Sequence, residues 1–193
     1  MTDAGLVYVE HLTNLRQLNL IDIQITDAGL NHLAPLTKLT ELDLEGTFVT
    51  DAGLARLAPL ANLTTLGLSG SRITDAGLPH LGRLPKLRYL RLLDTKVTGS
   101  GFVHLREFAD LRVIVLHGSP ITDEGLRHLA AIPSLTHIFV SDSAITDAGL
   151  ASLEKLPKLQ RLDVRGTRVT ETAMSAFTEI LVKNLPDADG ESP

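Results

Sequence analysis

Asp94, His117 and Ser141 follow one another at intervals of 23 and 24 residues, and an acid, an imidazole and a hydroxyl are the parts from which a nucleophilic hydrolase is assembled. His32, His80, His104 and His128 share another recurring slot, and imidazoles in a column suggest a metal site or a pH sensor. Glu41, Asp43 and Glu45 alternate along one short stretch and offer carboxylate oxygens of the kind calcium takes. Tyr89, Leu93, Val113, Val115 and Phe139, interleaved with Arg88, Arg91, Arg112, Arg161 and Arg165, include the aromatic and arginine types that anchor protein partners. What any of these groups can do depends on the elements that carry them.

Those elements are set by a repeat. Thr26-Asp27-Ala28-Gly29-Leu30 recurs at Thr2, Thr50, Thr74 and Thr146, and degenerate copies begin at Thr98, Thr122 and Thr170, always 24 residues apart. Eight copies in register without insertion are the signature of a tandem-repeat solenoid, in which each unit buries its apolar side against its neighbours.

Within one period, Leu39-x-x-Leu42-x-Leu44-x-x-Thr47-x-Val49-Thr50 begins with the alternation of a half-buried strand at Leu42 and Leu44. The same slots hold Leu18/Leu20, Leu66/Leu68, Leu90/Leu92, Ile114/Leu116, Ile138/Val140 and Leu162/Val164, which predicts seven strands of about four residues. Leu54, Leu57 and Leu60 then recur at three-residue spacing. Thr50 stands at a helix N-cap, with its hydroxyl available to a free backbone N–H, and Asp51 follows in the first turn, where the helix dipole favours a negative charge. Pro35, Pro59, Pro85, Pro133 and Pro157 stop these segments, so the helices run roughly two to three turns. Strands pair about 4.8 Å apart whereas helices need about 8 to 10 Å, so the stack bends into an arc with the sheet on its concave side.

The pattern Leu39-x-x-Leu42-x-Leu44-x-x-Thr47, followed by Val49-Thr50-Asp51-Ala52-Gly53-Leu54, resembles the leucine-rich repeat. Its Ile/Val-Thr-Asp-x-Gly-Leu half is similar to the cysteine-containing subclass found in F-box substrate receptors and bacterial repeat proteins. The resemblance implies a right-handed α/β solenoid with a concave parallel sheet and convex helices, covering residues 2 to about 185. It also implies use in protein recognition. Two departures stand out: no F-box is present, and the Asn or Cys usual after the strand is Thr47, Ser71, Thr95, Ser119, Ser143 or Thr167, whose hydroxyls are available to the backbone of that buried turn.

The ends are atypical, as terminal repeats must be. Residues 2–12 supply a helical half-repeat with Val9 and Leu12 in core slots, a weak cap that leaves self-association open although a monomer is expected. Residues 170–185 replace a repeat with an amphipathic capping helix whose Phe177, Ile180 and Leu181 cover the last core layer. A single repeat domain, 1–185, and a disordered acidic tail, 186–193, are therefore expected. A net charge of −5 without a Lys/Arg block argues against nucleic acid and anionic membranes, and zero Cys excludes disulfides and fits a cytoplasmic, reducing setting. No signal peptide or spanning stretch is visible, although the start inside a repeat looks like a cut boundary behind which a leader was removed.

Placed on this scaffold, the chemical candidates separate. An open sheet offers Asp94, His117 and Ser141 neither a water-excluding pocket nor an oxyanion hole, so no catalytic residue is expected. Helices about 10 Å apart keep the histidines from sharing a metal, and acids two residues apart on a strand lie about 6.7 Å apart with no loop carbonyls between them. No metal or cofactor is expected. The strand positions facing away from the core are a different matter: one column reads Gln17, Glu41, Thr65, Tyr89, Val113, His137, Arg161, the next Asn19, Asp43, Gly67, Arg91, Val115, Phe139, Asp163, and beyond them Ile21, Glu45, Ser69, Leu93, His117, Ser141, Arg165. Glu41, Asp43, Tyr89, Arg91, Leu93, Val113, Val115, His117, His137, Phe139 and Arg161 are the expected contacts for a protein or peptide on the concave face. The alternatives are a substrate-reading fragment of a larger receptor or secreted effector and, more remotely, the hydrolase.

Overall fold

A computed structural model describes residues 2–184. Seven parallel strands, β1 (Gln17–Asn19), β2 (Glu41–Asp43), β3 (Thr65–Gly67), β4 (Tyr89–Arg91), β5 (Val113–Val115), β6 (His137–Phe139) and β7 (Arg161–Asp163), form one open sheet in chain order. Neighbours are in register at 24 residues, so that Gln17 faces Glu41, Glu41 faces Thr65, and so on to His137 and Arg161. The strands are three residues long, not four. Each is cut short because the backbone turns left-handed soon after it, at Asp22, Gly46, Gly70, Asp94, Gly118, Asp142 and Gly166.

The central residue of each strand points into the core and its two neighbours point out, which makes the alternation read from the sequence the burial pattern of the sheet. In one period Leu42, Leu44, Val49, Leu54, Leu57, Leu60 and Leu63 are all buried and join a single apolar core that runs from Leu6 to Phe177. Each such side chain stabilises the fold by roughly 1.5–3 kcal/mol relative to exposure.

The convex segments have the expected length but a different winding. Asp51–Leu54 (α1), Leu78–Leu81 (α2), Asp123–Leu129 (α3) and Asp147–Ser152 (α4) are α-helical, while Gly29–Leu33, Ala55–Leu57, Asp75–Gly77, Ser100–Leu105 and Leu153–Lys155 are 3₁₀ turns. Leucines every third residue explain this, because three residues per turn keep Leu54, Leu57 and Leu60 on one side.

Thr74 and Thr146 accept the expected cap from the N–H of Ala76 and Ala148, but the Thr and Asp of the recurrent pentapeptide also do something further. Thr50 makes no side-chain cap to its own helix. Its hydroxyl donates to Asp27 Oδ2 at 2.6 Å and its N–H to Asp27 Oδ1 at 2.8 Å, so the aspartate of one repeat holds the threonine of the next. The same clamp joins Asp3 to Thr26, Asp51 to Thr74, Asp75 to Thr98, Asp123 to Thr146 and Asp147 to Thr170. Glycine follows three residues after most of these threonines because the clamping carboxylate occupies the space of its Cβ, as at Gly53 against Asp27. Charge complementarity to the helix dipole is thus secondary to a bond between repeats.

The hydroxyl column after the strands does take over the turn: Thr47, Ser143 and Thr167 donate to the carbonyls of Leu44, Val140 and Val164 at 2.7, 2.7 and 2.6 Å. At the C-terminal end the helix Glu171–Asn184 (α5) buries Phe177, with Ala173, Met174 and Leu181 packed on the core; Ile180 is half-buried outside that cluster. At the other end Leu6, within the 3₁₀ turn Asp3–Tyr8, fills the core slot, Val9 packs only partly, and Leu12 is 51% exposed. Leu185 and the tail 186–193 lie outside the described residues, and among the described residues no helix is long and apolar enough to cross a membrane.

Candidate functional site

The sheet face opposite the core collects the residues that the sequence singled out. Tyr89 lies beside Val113 and Val113 beside His137, while Arg91 lies beside Val115 and Val115 beside Phe139. Tyr89, Leu93, Val113 and Phe139 are half-buried. Val115 differs from the expectation: at 7% exposure it is enclosed by its neighbours and forms the floor of the patch rather than its surface.

Phe139 is the centre of a stacked group. The ring of His137 lies nearly parallel to it with centroids 6.3 Å apart, His117 is tilted at 5.8 Å, and the Arg161 guanidinium sits 5.3 Å from its centroid. Such a guanidinium on a ring face contributes about 0.5–1 kcal/mol when exposed. Next to it, Arg165 grips Asp163 through Nε at 2.9 Å and Nη2 at 2.6 Å. That bond, against an opposing effect of burial, holds the Asp163 carboxyl down at about 2.

At the other end of the face the charges read as separate in sequence are wired together. Arg91 reaches across β3 to pair with Asp43, two repeats away. The crossing is possible because Gly67 stands between them, and a Cβ there would meet both the Asp43 carboxylate and the Arg91 guanidinium. Arg91 Nε is buried without a hydrogen-bond partner. A buried donor left unpaired costs about 1–3 kcal/mol, so the bridge is poorly explained as a stabilising device. It walls a cavity of about 390 Å³ lined by Gln17, Asn19, Glu41, Asp43, Thr65 and Arg91.

The catalytic trio does not assemble. His117 Nδ1 and Ser141 Oγ are hydrogen-bonded, but the carboxylate beyond them is Asp142, which accepts from Ser141 at 3.2 Å. Asp94 has left-handed backbone and its carboxylate lies over Gly118 of the next turn. A triad requires the acid on the imidazole, and here it is on the hydroxyl. The convex histidines stay apart as well: His32 bonds Glu10 at 2.9 Å and His128 lies 3.7 Å from Glu124. Among the described residues no three His, Cys, Asp or Glu side chains converge as metal ligands do.

Comparison with known proteins bears on the family. A profile of the leucine-rich repeat matches residues 36–58 and 60–78, two consecutive periods of the 24-residue pattern. The chain is a leucine-rich repeat protein. Among solved structures, internalin C2 of Listeria monocytogenes matches with a TM-score of 0.72 at 29% identity over 92% of this chain and 72% of internalin C2. An internalin of the same organism, internalin F, matches with a TM-score of 0.53 at 24% identity over 89% of this chain and 60% of its own, a likeness of fold alone. No protein of curated function matches. Leucine-rich repeat arcs serve in general as protein-interaction modules, usually without catalysis, and that much of the functional expectation carries to this chain.

In the sequence Gln17, Thr65 and Gly67 are only members of columns, which do not by themselves show the cavity that Gln17 and Thr65 line beside Gly67. The signal was present: Gly67 is the one glycine in a column of larger side chains. What could not be read was that Asp43 and Arg91 would close over it.

Proposed function

We propose that this leucine-rich repeat arc binds a protein or peptide on its concave sheet face, with Phe139 as the central anchor. The observation that supports this most is the assembly around Phe139, where His117, His137 and Arg161 gather on one ring from three successive repeats, with Tyr89 and Val113 on the strands before it. Aromatic and arginine side chains on a rigid sheet lose little freedom on binding and are the usual sources of interface energy. Glu41, Asp43, Arg91, Leu93 and Arg161 extend the contact along the arc, while Val115 supports it from beneath. The reading includes no catalytic step, no nucleic acid and no membrane, and takes the working unit as a monomer.

The test is capture of a partner by the wild-type chain, followed by affinity and melting measurements on Phe139→Ala and on the convex control His104→Ala. Phe139→Ala is expected to weaken binding by about 2 kcal/mol or more, roughly thirtyfold, with the melting temperature held within a few degrees. His104→Ala should change neither. Undiminished affinity of a folded Phe139→Ala chain would remove the anchor from this role.

A further inference from the structure

We infer that the cavity between β1 and β4 is a subsite for a cationic side chain, an arginine in particular, presented by the partner; the inference rests on the concave-face reading above. Two rows of side chains build it. In the row Asn19, Asp43, Gly67, Arg91 the polar groups already serve one another: Asn19 Oδ1 accepts from Ile21 N–H at 3.0 Å, Asp43 Oδ1 from Glu45 N–H at 3.2 Å, and Asp43 Oδ2 from Arg91. In the adjoining row Gln17, Glu41 and Thr65 stand side by side on three strands, and among the described residues none of these three side chains makes a hydrogen bond or ion pair within the protein.

The charge of the cavity follows from that division. Arg91 is neutralised by Asp43, so Glu41, which is exposed and unpaired, carries the net charge. A cation is the complementary occupant. A guanidinium suits it better than an ammonium, because a planar fork of five donors can pair both oxygens of Glu41 and still offer N–H groups to the oxygens of Gln17 and Thr65 on either side. The cavity of about 390 Å³ lies within the range of small-ligand sites and has room for that side chain. Gly67 and the Asp43–Arg91 bridge thereby gain a purpose: they hold a wall in place and keep Asp43 from competing for the ligand.

The experiment follows backbone amide shifts of the isotopically labelled full chain during titration with N-acetyl-arginine amide, with the neutral citrulline analogue and N-acetyl-lysine amide in parallel. The arginine probe should bind with a Kd of roughly 1–10 mM, as a single side chain does, and move the amides of residues 17–19, 41–43 and 65–67. Glu41→Gln, a change at an exposed position, should weaken it about tenfold while leaving the rest of the spectrum in place. Equal shifts with citrulline, tighter binding of the lysine probe, or an unchanged Kd in Glu41→Gln would overturn the assignment. Phe139→Ala should bind the arginine probe as the wild type does. A subsite that fails while Phe139→Ala still loses its protein partner condemns the subsite alone, and a subsite that holds while Phe139→Ala keeps its partner condemns the Phe139 anchor alone.

Discussion

The junction between Asp51 and Thr74 and the junction between Gly99 and Thr122 hold equivalent places in the solenoid and are built in opposite ways. At the first, a carboxylate clamps the N–H and hydroxyl of the next threonine at 2.8 and 2.6 Å and occupies the space above Gly77. At the second the carboxylate is gone. Gly99, with φ of 100°, lies so close to Gly125 that a Cβ on it would meet the Gly125 Cα, and Thr122 turns its N–H to the Thr98 carbonyl at 3.1 Å and caps its own helix at Gly125 instead. Asp75 compensates from the preceding repeat by accepting from Thr98, Gly99 and Gly101 together. The difference teaches that the solenoid needs a satisfied backbone at every junction and that either a side-chain clamp or direct approach of backbone can supply it.

The strongest way to break the comparison is to impose the common residue on the exceptional junction. Gly99→Asp restores the pentapeptide letter, yet the left-handed backbone and the Gly125 contact leave its side chain no place, and a loss of about 2–5 kcal/mol is expected in denaturant unfolding. A neutral or stabilising outcome would mean that the junction readily relaxes to the clamped form. Removing a clamp is expected to matter less. Asp51→Ala leaves the Thr74 N–H and hydroxyl without their partner and should cost about 1–3 kcal/mol. Gly77→Ala, which drives a methyl group into the same carboxylate, should be harmful alone and milder in the Asp51→Ala background, a coupling of about 1 kcal/mol in a double-mutant cycle. Additive losses would show that the glycine is kept for some reason other than the clamp.

The smallest effect is the pH dependence that the compensating residue contributes. Burial tends to raise the Asp75 carboxyl, but the Thr98 hydroxyl and the amides of Gly101, Thr98 and Gly99 together outweigh it and hold it below its ordinary 3.8. Because the folded value lies below the unfolded one, this contribution is fully present above 3.8 and is lost as pH falls through the lowered folded value. Unfolding curves taken from about pH 6 to about pH 3 should therefore show a shallower decline in Asp75→Asn than in the wild type. Parallel declines would place the acid sensitivity elsewhere.

Much of the scaffold was legible because its periods are physical. Leu42 and Leu44 announce a strand, Leu54, Leu57 and Leu60 announce a three-residue winding, and the 24-residue step announces register. The short helices expected from that spacing are present, wound partly as α-helix, as at Asp123–Leu129, and partly as 3₁₀ turns, as at Ser100–Leu105. Thr50 stands at the helix N-cap as expected, and only the neighbouring repeat, 23 residues earlier, reveals Asp27 as the partner of its hydroxyl. On the concave face the columns were correct, but Val115 proved to be enclosed, and Asp43 and Arg91, two repeats apart in one column, proved to be one bridge.

By itself the sequence determined the repeat length, the parallel order of the strands and which recurring leucine slots build the core, because those follow from local periodicity and from the burial of leucine that only stacking can achieve. The tertiary structure alone decided which polar groups meet. Asp27 finds Thr50, His117 finds Ser141, and Arg91 passes over Gly67 to Asp43, because parallel stacking brings residues one or two repeats apart within hydrogen-bond reach. Hydrogen bonds and ion pairs act over about 3 Å and depend on direction, so a periodic pattern fixes their neighbourhood but not their partners.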